Sequence, residues 1–293
     1  MIEEEQKLID IQLKYIYNVS AKTKVEETAK DIDVKNNPFI VYISGIDTYG
    51  DIESISRSDV NILGIINPND NKVLLVSIPR DYYVDIYGKN GKDKLTHAGI
   101  YGVDTSIKTI ENLLDIDINY YLKVNFSTLV NFIDIIEGIN VYSAYTFDTY
   151  GIKFYEGYNY LNGEQALAFS RARYNFSGGD RVRGENQMRV IEAIINKLSS
   201  SRVLMTNYLN ILSSLENSFQ MNIDSDRIYD LVKMQLYNMP KWEVEKISLD
   251  GVDSYNYTNT SKDKKVYVME PKLDTIKNTK DKINEIMNIY TLD

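Results

Sequence analysis

Three apolar runs of strand length, set close together and bounded by polar residues, constrain this chain more than any other feature. They are Phe39-Ile40-Val41-Tyr42-Ile43-Ser44-Gly45-Ile46-Asp47, Val60-Asn61-Ile62-Leu63-Gly64-Ile65-Ile66 and Lys72-Val73-Leu74-Leu75-Val76-Ser77-Ile78. Short runs rich in β-branched residues and flanked by turn residues read as buried strands. Pro38 opens the first, Asn67-Pro68-Asn69-Asp70-Asn71 is a turn by composition, and Pro79-Arg80-Asp81 closes the third.

Beyond them, helical and strand patterns alternate. Asp104-Thr105-Ser106 caps a helix through about Leu114, and Asp117 to Val124 reads as a strand. Ser127 to Ile136 reads as a helix closed by Gly138, and Ile139 to Tyr142 as a strand. Gln165 to Phe169 is helical, and Asn186 to Leu198 is an amphipathic helix. Residues 203 to 219 and 225 to 237 read as helices, Trp242 to Ile247 and Lys265 to Met269 as strands, and 272 to 289 as a closing helix. The Ser, Tyr, Asn and Thr residues between those last strands read as a hairpin or loop. This alternation predicts an α/β core with a mixed sheet. Residues 1–35 are a charged helical or flexible lead-in, and 36–293 a single domain whose 43% hydrophobic composition supports a substantial core.

Composition excludes several chemistries. There is no cysteine, so no thiol nucleophile and no Cys-based metal site. The single histidine, His97, rules out polyhistidine zinc sites and is better read as a satisfied loop residue than as a base. A net charge of −9 argues against nucleic acid as a partner. No apolar run approaches the roughly 20 residues that a spanning helix needs, and there is no signal peptide. The chain reads as soluble, or as the ectodomain of an anchored protein.

Against that acidic background, Arg171, Arg173, Arg181 and Arg183 fall within 17 residues, with Ser177-Gly178-Gly179-Asp180 as a loop between two helices. Arginine grips phosphate oxygens in a fork and keeps its charge. One Arg pair would be read as a solvated basic face; four around a Gly-Gly turn point to an oxyanion site. Asp47 follows the first strand, Asp59 precedes the second, and Arg80 and Asp81 follow the third. If the first two strands are antiparallel neighbours, Asp47 and Asp59 meet at one sheet edge, where two carboxylates and a phosphate can hold magnesium. The alternative is that each Asp caps a turn or pairs with an arginine.

Gly45-Ile46-Asp47, Arg57-Ser58-Asp59, Ser77-Ile78-Pro79-Arg80-Asp81, Lys94-Leu95-Thr96-His97-Ala98, Leu161-Asn162-Gly163-Glu164-Gln165-Ala166-Leu167 and the stretch from Arg171 to Gln187 stand in an order and spacing that resembles the LytR-CpsA-Psr family, over roughly residues 38 to 200. The resemblance implies a mixed central sheet flanked by helices on both faces, with an apolar groove for a polyprenyl tail. It implies a cell-wall phosphotransferase of Gram-positive bacteria, held at the extracellular face of the membrane by an anchor helix that this chain lacks. Such an enzyme moves a phosphate-linked glycopolymer, such as teichoic acid or capsule, from a polyprenyl pyrophosphate carrier to a peptidoglycan sugar hydroxyl.

Carried over by position, Asp47 and Asp59 would hold magnesium (or manganese), and Arg80, Lys94, Arg171, Arg173, Arg183 and Gln187 would bind the pyrophosphate. Asp59, Arg80, Asp81, Arg171 and Arg173 form the expected catalytic set, with Asp59 or Asp81 as a base. Asn186 stands where many members have Arg, and Gly102-Val103 where a Gly-Gly pair is common. Residues 201–293 carry nothing diagnostic. The competing expectation is a polyprenyl-pyrophosphate or wall-polymer binding protein without turnover. A cytoplasmic nucleotide enzyme lacks support, since neither a P-loop nor a dinucleotide fingerprint is present.

Overall fold

The computed structural model describes residues 32–49, 51–52, 55–173, 176, 178–199, 204, 210–211, 213–214 and 219–289. The lead-in before residue 32 and most of the helix expected over 203 to 219 lie outside these residues. Six strands open the chain: β1 (Phe39–Gly45), β2 (Val60–Asn67), β3 (Lys72–Ser77), β4 (Tyr83–Asp85), β5 (Lys92–Lys94) and, after a 3-10 segment over Leu95–Tyr101 and helix α1 (Val103–Leu114), β6 (Tyr120–Val124). Helix α2 (Phe126–Ile135) leads to β7 (Ile139–Ser143), β8 (Phe147–Thr149), β9 (Ile152–Phe154) and β10 (Gly157–Leu161). Helices α3 (Gly163–Arg171) and α4 (Asp180–Leu198) follow, then β11 (Gln220–Met221), α5 (Ser225–Asn238), β12 (Glu243–Ser248), β13 (Gly251–Thr258), β14 (Ser261–Pro271) and α6 (Leu273–Ile286).

The central sheet runs β11-β6-β1-β2-β3-β12. β1 and β2 are antiparallel, as are β2 and β3, while β6 lies parallel to β1 and β12 parallel to β3. The three apolar runs are therefore the middle of a mixed sheet. Alternate residues face opposite sides. Ile40, Tyr42, Leu63, Ile65, Leu74 and Val76 pack with Ile110 and Leu114 of α1 and Ile283 and Ile286 of α6. Ile62, Val73 and Leu75 face Met188 of α4 on the other side. Helices cover both faces, and near-continuous apolar strands follow from that two-sided burial.

A second core lies beside the sheet, where Phe132, Ile133, Phe147, Phe154, Ala166, Phe169, Val190 and Ala193 pack together. The strand expected over Ile139–Tyr142 is present as β7, but it pairs with β10 in a separate ribbon instead of joining the main sheet. Boundaries shift locally as well. α1 begins at Val103 with Gly102, at φ 103, as its cap, two residues ahead of the cap expected at Asp104. α4 begins at Asp180, six residues before the periodic apolar stretch, so Arg181 and Arg183 sit on a helix and not on a loop. The polar run after Ile247 forms β13, paired along its length with β14.

Candidate functional site

The strand directions bring the sequence-predicted residues to one edge of the sheet. β1 ends, β2 begins and β3 ends on the same side, with Gly45 opposite Val60 and Ile62 opposite Ser77. The Asp59 N–H donates to the Gly45 carbonyl at 2.8 Å, which fixes Asp59 next to the strand that leads to Asp47. Arg80 and Asp81 follow β3 at that edge. The 3-10 segment is tied down there too: the Thr96 N–H donates to the Arg80 carbonyl at 2.8 Å, and the Ser58 N–H to the Thr96 carbonyl at 3.1 Å.

The arginines arrive from two helix ends. α3 starts at a capping box between Asn162 and Gln165 and ends at Arg171. A cation in the last turn suits the helix dipole, as does Asp180 in the first turn of α4. α4 lies so close to β3 that a Cβ on Gly184 would stand 2.6 Å from Ser77 Oγ, so any larger residue there would have to push the Ser77 hydroxyl aside. Gln187 follows Arg183 by one turn on the same side of α4.

The pairings form a chain of charge. Arg80 donates to Asp59 Oδ1 at 2.6 Å and reaches Asp81 Oδ2 at 3.6 Å, while Lys94 Nζ donates to Asp81 Oδ1 at 2.8 Å. Thr96 Oγ1 stands 3.5 Å from Asp59 Oδ1. Arg183 and Arg173 both meet Asp180, at 2.8 and 3.4 Å. Arg171 stands 3.7 Å from Asp47. Burial works against the charge of Arg80, but Asp59 and Asp81 more than offset this and hold its proton more firmly than usual. For Arg183, burial prevails: although Asp180 supports the charge, the neighbouring Arg80 and Arg173 guanidinium groups add to the burial and leave its proton less firmly held. Guanidinium groups crowded together in this way gain from an anion placed between them.

Five cations (Arg80, Lys94, Arg171, Arg173, Arg183) thus meet four carboxylates (Asp47, Asp59, Asp81, Asp180), a near-balanced group. The structure brings together the expected Asp47, Asp59, Arg80, Asp81, Lys94, Arg171, Arg173 and Arg183. It also places residues that the sequence reading left out. Asp180, read only as part of a loop, receives two of the arginines. Arg181 turns away from them, to Asp250 at 2.6 Å and the Gly251 carbonyl at 3.2 Å. The C-terminal strands therefore brace the site, and no motif in residues 201–293 signals it. Asn186 is buried within α4. His97 is a satisfied buried residue, with Nδ1 2.7 Å from Asp93 and 2.9 Å from Thr260.

Among the described residues there is no cluster of three or more His, Cys, Asp or Glu able to hold a metal. Arg80 and Thr96 approach Asp59 through Oδ1 and Arg171 approaches Asp47 through Oδ1, so each carboxylate keeps an oxygen that a hard cation could take. One or two carboxylates completed by substrate phosphates are the usual protein share of a magnesium site. Asp47 and Asp59 have the donor chemistry that such a share would need.

A model of the LytR_cpsA_psr family matches residues 9–285, well past both ends of the motif-bearing region. The chain is 38% identical over 233 residues to the polyisoprenyl-teichoic acid–peptidoglycan teichoic acid transferase TagU of Enterococcus faecalis, spanning 78% of this chain and 75% of that protein. It is 36% identical over 200 residues to the transferase of the same name from Bacillus anthracis, spanning 68% of this chain and 65% of the relative, just under two thirds of its length. The solved structure of TagT bound to LI-WTA superposes with a TM-score of 0.70 at 27% identity, over 90% of this chain and 96% of that one. Among the described residues no helix is long and apolar enough to cross a membrane.

Proposed function

The chain belongs to the LytR-CpsA-Psr family, and on that premise we propose that it is a phosphotransferase of cell-wall assembly. It moves a teichoic acid or similar phosphate-linked glycopolymer from a polyprenyl pyrophosphate carrier to a sugar hydroxyl of peptidoglycan. The reading extends to this chain what the names of its relatives say of them. The observation that carries it is the convergence of Arg80, Arg171, Arg173 and Arg183 with Asp47 and Asp59 at one sheet edge. An extracellular location on a Gram-positive cell, held at the membrane, belongs to the same proposal.

In the reaction, the acceptor oxygen bonds to the phosphorus next to the glycopolymer, the bridging P–O bond to the second phosphorus breaks, and polyprenyl phosphate leaves. Phosphoryl transfer asks little covalent chemistry of the protein; positioning and charge neutralisation dominate. Arg80 and Arg183, both largely shielded from solvent, neutralise charge that develops on the equatorial oxygens. Arg171 and Arg173 reach the same group from the end of α3. Asp81 is a poor acceptor for the hydroxyl proton, because Lys94 and Arg80 hold both its oxygens. Asp59 keeps Oδ2 clear of Arg80 and Thr96, but that is the oxygen a magnesium ion would take, so with the metal bound the hydroxyl proton passes to solvent water. The protein's own charges in the site nearly cancel, whereas a pyrophosphate diester carries two negative charges. Magnesium held by Asp47 and Asp59 would supply the missing positive charge and polarise the pyrophosphate.

The test is polymer transfer to peptidoglycan by an Arg171→Ala/Arg173→Ala variant. A drop of about 10²–10³-fold or more is expected, on the scale of losing an oxyanion donor. Transfer at the parent rate would end the proposal, and retained binding of the carrier without any turnover in the parent would favour a binding protein.

A further inference from the structure

Tyr150 occupies a conformation that a tyrosine seldom adopts. It is the first residue of the two-residue turn between β8 and β9, which closes on the Thr149–Ile152 pair. Its φ is 50, and that of Gly151 is 75. Positive φ at both central positions defines a type I′ turn, for which Asn-Gly is the favoured sequence. A bulky side chain at positive φ is an outlier. Burial does not compensate, because the Tyr150 side chain is 61% exposed. The hairpin tolerates it because Phe147 and Phe154 beneath are buried and stacked, 5.0 Å between centroids.

The ring has one notable neighbour. The Arg171 guanidinium carbon lies 5.0 Å from the centroid of Tyr150 and 4.3 Å from that of Phe126. Tyr49, 62% exposed, meets Phe126 edge-on at 5.1 Å, and the Phe126 N–H donates to the Thr48 carbonyl at 3.0 Å. Tyr49, Phe126, Arg171 and Tyr150 therefore form a continuous row beside Asp47. Exposed rings next to a guanidinium and a carboxylate suit a ligand with a C–H face to stack and hydroxyls to bond. A pyranose ring has both. A hydrocarbon tail would gain little from open rings set among charges.

We infer that Tyr49 and Tyr150 form a saccharide-stacking rim that holds a pyranose ring against Arg171, an assignment that rests on the phosphotransferase reading of the adjoining site. The ring can come from the acceptor glycan or from the first sugar of the carrier-linked polymer. The substitution Tyr150→Asn separates function from fold, since it replaces a strained turn residue by the favoured one.

The experiment compares parent and Tyr150→Asn in three readouts: melting temperature, KM and kcat for each substrate in transfer, and binding of a chito-oligosaccharide by the full chain without carrier. The melting temperature should hold or rise. Either the acceptor KM or the carrier KM should rise about tenfold, on the scale of one lost ring stack, and the substrate affected identifies the source of the sugar. Oligosaccharide binding should weaken alongside an acceptor effect, and Tyr150→Phe should retain parent behaviour. Unchanged KM for both substrates, with unchanged oligosaccharide binding, would overturn the inference. Failure of the phosphotransferase reading would show separately, as absence of carrier turnover in the parent protein, with oligosaccharide binding still reporting on Tyr150.

Discussion

The inner and outer halves of the charged site are held in different ways. In the inner half, Arg80 bridges Asp59 and Asp81, Lys94 completes Asp81, and all four side chains are at most 25% exposed. In the outer half, Arg171 and Asp47 stand 3.7 Å apart at 32% and 52% exposure, and Arg171 leans on aromatic rings. A buried network needs every member, because removing one strands a charge without solvent. An exposed pair contributes about 1 kcal/mol at most and can rearrange around a ligand. Structure and chemistry are thus coupled in the inner half and separable in the outer half.

The largest effect should come from Arg80→Ala. It leaves Asp59 and Asp81 short of a partner, so carrier cleavage should fall about 10²–10³-fold and the melting temperature should drop with it. Arg171→Ala sharpens the contrast: turnover should fall on a similar scale while the melting temperature stays near that of the parent. A melting temperature as low as that of Arg80→Ala would erase the distinction between the halves.

Gly184→Ala probes the seat of α4. Its Cβ would press on Ser77 Oγ, and overpacking of this kind costs about 1–3 kcal/mol. Denaturation of the single variant and of Gly184→Ala/Ser77→Ala checks this, since the second substitution removes the clashing oxygen and should restore most of the loss.

The smallest effect concerns Asp93, behind the inner half. Burial alone would raise its pKa, but His97, the Lys94 N–H and Thr260 prevail and hold it below the usual carboxylate value of 3.8. A folded-state pKa below the unfolded one gives stability that is present above about pH 4 and lost as pH falls through the folded value. Melting temperature measured from pH 6 down to pH 3 should therefore decline less in Asp93→Asn than in the parent.

Much of this was legible in the chain. The apolar runs named the three central strands because two-sided burial leaves no polar alternation to confuse them, and their polar ends marked the edge where Asp47, Asp59, Arg80 and Asp81 meet. What the sequence hid depended on long-range pairing. The ribbon position of Ile139–Ser143 follows from its partner in β10, not from its own pattern. Asp180 looked like a loop residue because its Gly-Gly neighbours dominate the local signal, although it starts a helix. The bracing of Arg181 by Asp250 spans almost 70 residues and leaves no local trace. Tyr150 was one tyrosine among 24, and only its backbone angle and its contact with Arg171 set it apart.

Phosphate release from geranylgeranyl pyrophosphate, followed with and without magnesium in the parent and in Asp59→Ala, tests the phosphotransferase assignment most directly. Magnesium-dependent release in the parent that is lost in Asp59→Ala is the expected result, with water in the place of the acceptor. Tight binding of the pyrophosphate with no release, unchanged by magnesium or by Asp59→Ala, would contradict it.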